Sequence, residues 1–141
     1  MNGLIKKIIK NEPILSDLKD CYIEFEKNRN DIFYIRIWKN KKSFESNDDT
    51  LAISMCSFIE FDNHIRAVSE SDFDQNKAVT GFHFGLWTNP ESQRKGYATK
   101  LYVLAELITN KTIIPSDDRT EWAEYFWDQP NRPFGEILET D

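Results

Sequence analysis

The residues whose types and spacing can do chemistry stand together as Gln93-Arg94-Lys95-Gly96-Tyr97-Ala98. The chemistry they suit is anion binding. The run Gly81 to Thr88 before them is aromatic and apolar, as a buried strand would be. Asn89 and Pro90 stop that run. Behind them Ala98, Leu101, Ala105 and Ile108 follow helical spacing. A strand, a glycine-containing turn and a helix start leave several backbone N–H groups pointing outward, at the positive end of the helix dipole. A phosphate or pyrophosphate fits there. Gly96 permits a close approach or a positive φ, and Arg94 and Lys95 bring charge to the mouth. Neither the G-x-x-x-x-G-K-[ST] loop nor the three-glycine dinucleotide fingerprint is present.

The hexapeptide, with its continuation Thr99-Lys100-Leu101-Tyr102, resembles the acetyl-CoA motif [Q/R]-x-x-G-x-[G/A] of the GCN5-related N-acetyltransferases (GNAT). The likeness covers residues 79–128. It implies an α+β fold with a mixed, mostly antiparallel sheet, helices on both faces and a parallel pair of strands that splay apart. It implies that acetyl-CoA is bound by Leu86, Trp87 and Thr88 along the pantetheine and by Gln93, Arg94, Lys95, Gly96, Tyr97, Ala98 and Thr99 at the phosphates. Core packing for Leu86 to Thr88, and a solvated turn for Arg94 and Lys95, are the plainer readings of the same residues.

Acetyl transfer to an amine needs a base for the amine's proton and a proton for the leaving thiolate. His83, in the expected strand, is the best-placed titratable side chain for a base. A hydrogen-bonded core histidine is the competing reading, and Glu60, Asp62 and His64 are further bases to weigh. The family often places a Tyr four residues after an Ala on the last helix. Counting from Ala123 puts Trp127 there, so Tyr125 or Tyr102 would have to substitute, or water supplies the proton. Trp87, Trp122, Phe126 and Trp127 either line an acceptor site or belong to the core.

The elements that must position these groups are read as follows. Residues 3–10 form a short amphipathic helix, and residues 13–20 one or two helical turns. Residues 21–39 form a hairpin, 40–50 a charged loop and 51–61 a third strand. Residues 62–79 form an acidic connection with a helical piece around Ile65 to Val68. The strand at 80–88 and a strand at 112–114 are joined by a helix at 97–109, which makes them parallel. A helix at 119–128, capped by Ser116 or Asp117, and a loose tail at 129–141 close the chain. The family's two helices between its first strands have no room in this hairpin. Residues 3–20 stand in for them, or they are reduced.

The 141 residues, 40 % of them apolar and 13 % aromatic, suit a single packed domain over 1–141, with an N-terminal arm (1–20) and a C-terminal tail (129–141). The sequence holds no membrane span and no signal-peptide core, which places the protein in the cytoplasm. Cys21 and Cys56 read as reduced thiols, and no metal site is expected. The net charge of -6 disfavours nucleic acid and suits an amine-bearing small molecule or protein as partner. Function is read as acetyl transfer from acetyl-CoA to an amine. The alternative is a catalytically reduced module of the same fold that binds a protein, for instance as an accessory or inhibitory factor of a mobile element.

Overall fold

A computed structural model describes residues 2–27, 31–69, 85–116 and 121–135. Among these the chain is α+β, with a six-stranded, mostly antiparallel sheet. In order come α1 (Gly3–Asn11), β1 (Tyr22–Lys27), β2 (Ile32–Trp38), α2 (Lys41–Glu45), β3 (Ala52–Glu60) and β4 (His64–Ala67). Then follow β5 (Trp87–Thr88), α3 (Tyr97–Thr109), β6 (Thr112–Ile114) and α4 (Glu121–Trp127).

The β1–β2–β3 meander is set by alternation. Phe33, Ile35 and Ile37 are fully buried in the main core, while Tyr34 and Arg36 between them turn to the other face. On the core face these strands meet Ile5 and Ile9 of α1, Leu15 and Leu18 of the short helical turn after it, and Leu101 and Leu104 of α3. Trp127 and Phe134 complete this cluster around Tyr102. The opposite face is partly polar. Arg36 Nε lies 2.8 Å from Glu24 Oε1 and Nη1 lies 2.6 Å from Asp49, and Trp38 Nε1 donates to Glu24 at 3.0 Å. The Tyr34 hydroxyl is 2.6 Å from both Glu24 and Glu26, and burial together with these carboxylates pushes its pKa up. Among the described residues the short α2 packs on this second face, through Phe44 against Tyr22 and Trp38. The expected helices on both faces are therefore unequal.

One edge of β3 carries two separate strands. β4 pairs antiparallel with Phe58–Glu60, and Val68 N donates to Ser57 O at 2.9 Å. Next along the same edge, β5 pairs antiparallel at Met55↔Trp87 and Ser54↔Thr88. β4 and β5 thus lie in one line, interrupted opposite Cys56. Gly85 marks the junction, because a Cβ there would sit 2.5 Å from the Val68 carbonyl oxygen.

This line corrects three expectations. Ile65 to Val68 is not helical: His64–Ala67 is a strand, since the alternating His-Ile-Arg-Ala puts Ile65 into the core and closes a hairpin with β3. The strand expected at 80–88 is a strand only at Trp87–Thr88 among the described residues, and positions 80–84 lie outside them. The partner of β6 among the described residues is β4, parallel in register His64↔Thr112, Ile65↔Ile113 and Arg66↔Ile114, while β5 pairs with β3. The charged 40–50 loop also contains α2, whose start is capped by the Asn40 side chain accepting from Ser43 N at 2.9 Å.

α3 ends at Asn110, which takes the left-handed conformation (φ 56°) where no glycine is available. Glu106 fastens its last turn: Oε2 accepts from Ile113 N at 2.9 Å and Gly135 N at 3.0 Å. The Ser116 hydroxyl donates to Ala67 O at 3.0 Å and ties the strand end of β6 to β4; the residues it would cap, 117–120, lie outside the described ones. Asp117 lies outside the described residues. No described helix is long and apolar enough to cross a membrane.

Candidate functional site: the cleft between the turn and the last helix

β5, the turn after it and the start of α3 form one side of a cleft of about 590 Å³. α4 forms the other, through Trp122 and Phe126. The floor is fixed by β3. Ser54 Oγ donates to Trp87 O at 3.0 Å and lies 2.8 Å from Thr88 Oγ1. Asn89 N donates to Ile53 O at 2.8 Å, and the Asn89 carboxamide accepts from Glu91 N at 3.0 Å. Pro90–Ser92 makes a single helical turn, and Gln93 Nε2 reaches back to Thr88 O at 3.4 Å.

The turn then reverses with two left-handed residues, Arg94 (φ 64°) and Gly96 (φ 82°). Gly96 is the N-cap of α3, and among the described residues no side chain caps the helix. Its carbonyl accepts from Lys100 N at 3.1 Å, which begins the helical ladder. The leading amides of Tyr97, Ala98 and Thr99 precede that ladder, and all three residues line the cleft. Uncapped amides at a helix start favour an anion. Lys100 packs behind this helix start, outside the cleft lining. It is almost fully buried, with Nζ 3.4 Å from Lys95 O, 3.4 Å from Asp17 Oδ2 and 5.0 Å over the Tyr97 ring. Tyr97 is half-buried in the cleft wall, and burial, then the nearby Cys21 and Asp17, raise its pKa.

Of the residues expected to hold the cofactor, Leu86, Trp87, Thr88, Gln93, Arg94, Gly96, Tyr97, Ala98 and Thr99 all line this cleft, and Lys95 does not. Of the expected catalytic residues, neither of the two tyrosines is brought to it. Tyr102 is core, ringed by Phe58, Phe126, Trp127 and Phe134, and burial pushes its pKa well up. Tyr125 is 69 % exposed and does not line the cleft. His83 lies outside the described residues. Glu60 bridges Lys27 at 2.8 Å and Lys111 at 2.7 Å, which lowers its pKa and occupies it structurally. Asp62 is exposed at the β3–β4 turn, and His64 stacks on Phe61 at 4.7 Å.

The aromatic side chains divide. Trp127 is core, packed against Tyr102 and Phe134. Trp122, Phe126 and Trp87 line the cleft. The signal that separates Trp122 and Phe126 from Trp127 is their four-residue spacing, which puts the first two on one face of α4. The buried Lys100 has no such signal, since a lysine among helical apolar positions ordinarily reads as solvated. No family model, curated protein or solved structure matches the chain.

Proposed function

We propose that the protein is an acyl-CoA-dependent N-acetyltransferase of the GNAT type, moving an acetyl group to an amine acceptor. The observation that carries this reading is the convergence of an uncapped helix start, two left-handed turn residues and a half-paired strand on one cleft. Acetyl-CoA is the ligand this reading puts in the cleft. The amides of Tyr97 to Thr99 and the Arg94 guanidinium would hold its phosphates. β5 pairs with β3 on one edge, and its other edge, unpaired among the described residues, would take the pantetheine amides. Acetyl-CoA supplies an activated thioester carbonyl. Attack by a neutral amine forms the C–N bond and breaks the C–S bond, and the amine proton leaves to a base or water. The residues of this chain bind and orient both reactants.

The test is release of CoA thiol from acetyl-CoA in the presence of amines of several classes: a polyamine, a lysine-bearing peptide and a peptide N-terminus. Acetylation of one class, at a rate above buffer, is expected. A second reading, a binding module without turnover, is favoured by Trp127 at the family's Tyr position and by Tyr102 and Tyr125 lying off the cleft. Acetyl-CoA binding with no thiol release from any amine would select it.

A further inference from the structure

Trp122 has no role in the fold that its position explains. It lies at the start of α4 and is 55 % exposed, a costly place for the largest apolar side chain. One face of its indole is occupied. Trp122 stacks on Phe126 with ring centroids 5.1 Å apart and planes 10° apart, and Phe126 stacks on Phe134 at 5.1 Å and 24°. Phe134 in turn meets Trp127 and Tyr102 in the core. The ladder packs one side of the outermost ring, and Trp122 lines the cleft. No other ring contact of Trp122 is found among the described residues.

Trp122 and the phosphate-binding turn line the same cleft. One wall therefore suits an anion, and the other carries a half-exposed indole backed by packed aromatics. A ligand with both a phosphate and a flat heteroaromatic ring meets both demands, and stacking suits any base because each has a π-face. An acyl chain would gain more from an enclosed apolar site than from a half-exposed plane. Resting on the acyl-CoA reading of the turn, we infer that Trp122 is the stacking platform for the adenine base of the ligand whose phosphates sit on residues 94–99.

Calorimetric titrations of wild type, Trp122→Ala and Trp122→Phe with CoA, with phosphopantetheine and with the CoA nucleotide alone (adenosine bisphosphate) test this. Trp122→Ala is expected to weaken CoA and the nucleotide roughly five- to a hundredfold while phosphopantetheine stays within about twofold. Trp122→Phe, which keeps a π-face, is expected to recover most of the loss. Because the side chain is more than half exposed, the melting temperature of the variants should stay near wild type. Unchanged CoA affinity in a folded Trp122→Ala protein would overturn the platform and leave the acyl-CoA reading standing. An equal loss for phosphopantetheine would also overturn it, since Trp122 would then touch the arm. Trp122-dependent binding of the nucleotide, with no binding of either pantetheine compound, would support the platform and overturn the acyl-CoA reading. Wild-type protein that binds none of the three overturns both.

Discussion

The two walls of the cleft are made in different ways. The turn wall is set by backbone: left-handed Arg94 and Gly96 fix the path of the chain into α3. The α4 wall is side chain: Trp122 and Phe126 rest on Phe134, and their backbone is an ordinary helix. A backbone wall depends on a few dihedral angles and fails abruptly when one residue is wrong. A side-chain wall depends on surface area and fails in proportion to what is removed.

The sharpest way to break this contrast is Gly96→Glu. Open space surrounds the Cβ position, but φ is +82°, and the new carboxylate would add negative charge beside the proposed anion site. Acetyl-CoA affinity should fall more than about a hundredfold by like-charge repulsion and lost approach, against a stability cost of about 1 kcal/mol for a side chain at positive φ. Calorimetry with a parallel melt separates the two. Gly85→Ala tests the floor under the turn wall. Its methyl group collides with the Val68 carbonyl, so β5 must move away from β4, at about 2–3 kcal/mol. Urea unfolding would show this, and an unchanged midpoint would mean the two strands do not meet there.

How much of this was legible follows the same division. The turn carries its signal in sequence order, because dihedral demands fall on consecutive residues, and Gly96 with its flanking strand and helix could be read directly. The start of α3, the meander and the strand at 112–114 were legible for the same reason of local periodicity. The line of β4 and β5 was not. Its two halves lie about twenty positions apart in the chain, so no window of alternation contains both, and His64–Ala67 is too short to outweigh its polar flanks. The fate of the aromatics was half legible: the four-residue spacing puts Trp122 and Phe126 on one face of α4 and Trp127 on another, but which face is buried depends on the tertiary placement of Phe134. The catalytic residues were least legible, because a base or acid is defined by distance to a substrate and not by spacing along the chain.

Away from the cleft, Glu60 should give a modest pH effect. Its pKa is lowered by hydrogen bonds from Lys111 and Lys27. The ionised form is thus favoured in the folded state, so the stabilisation is present above the unfolded pKa of about 4.3 and is lost as pH falls through the lower folded value. Wild type should exceed Glu60→Gln by about 1 kcal/mol at pH ~7, with the gap closing toward about pH 3 in urea titrations. A gap that widens on acidification would contradict the ion-pair geometry. The smallest effect belongs to Tyr125→Phe. The side chain is exposed and off the cleft, so turnover and acetyl-CoA affinity should both stay within about twofold of wild type. A large drop in turnover alone would make Tyr125 the proton donor and show that α4 moves when acceptor binds.

The most direct test of the central claim is a thermal melt of the purified protein with and without acetyl-CoA. Ligand at about a hundred times its dissociation constant adds roughly 2.7 kcal/mol, which raises the melting temperature by several degrees in a domain of this size. That shift, absent in Gly96→Glu, is the predicted result. Equal melting temperatures with and without millimolar acetyl-CoA in the wild-type protein would contradict the account.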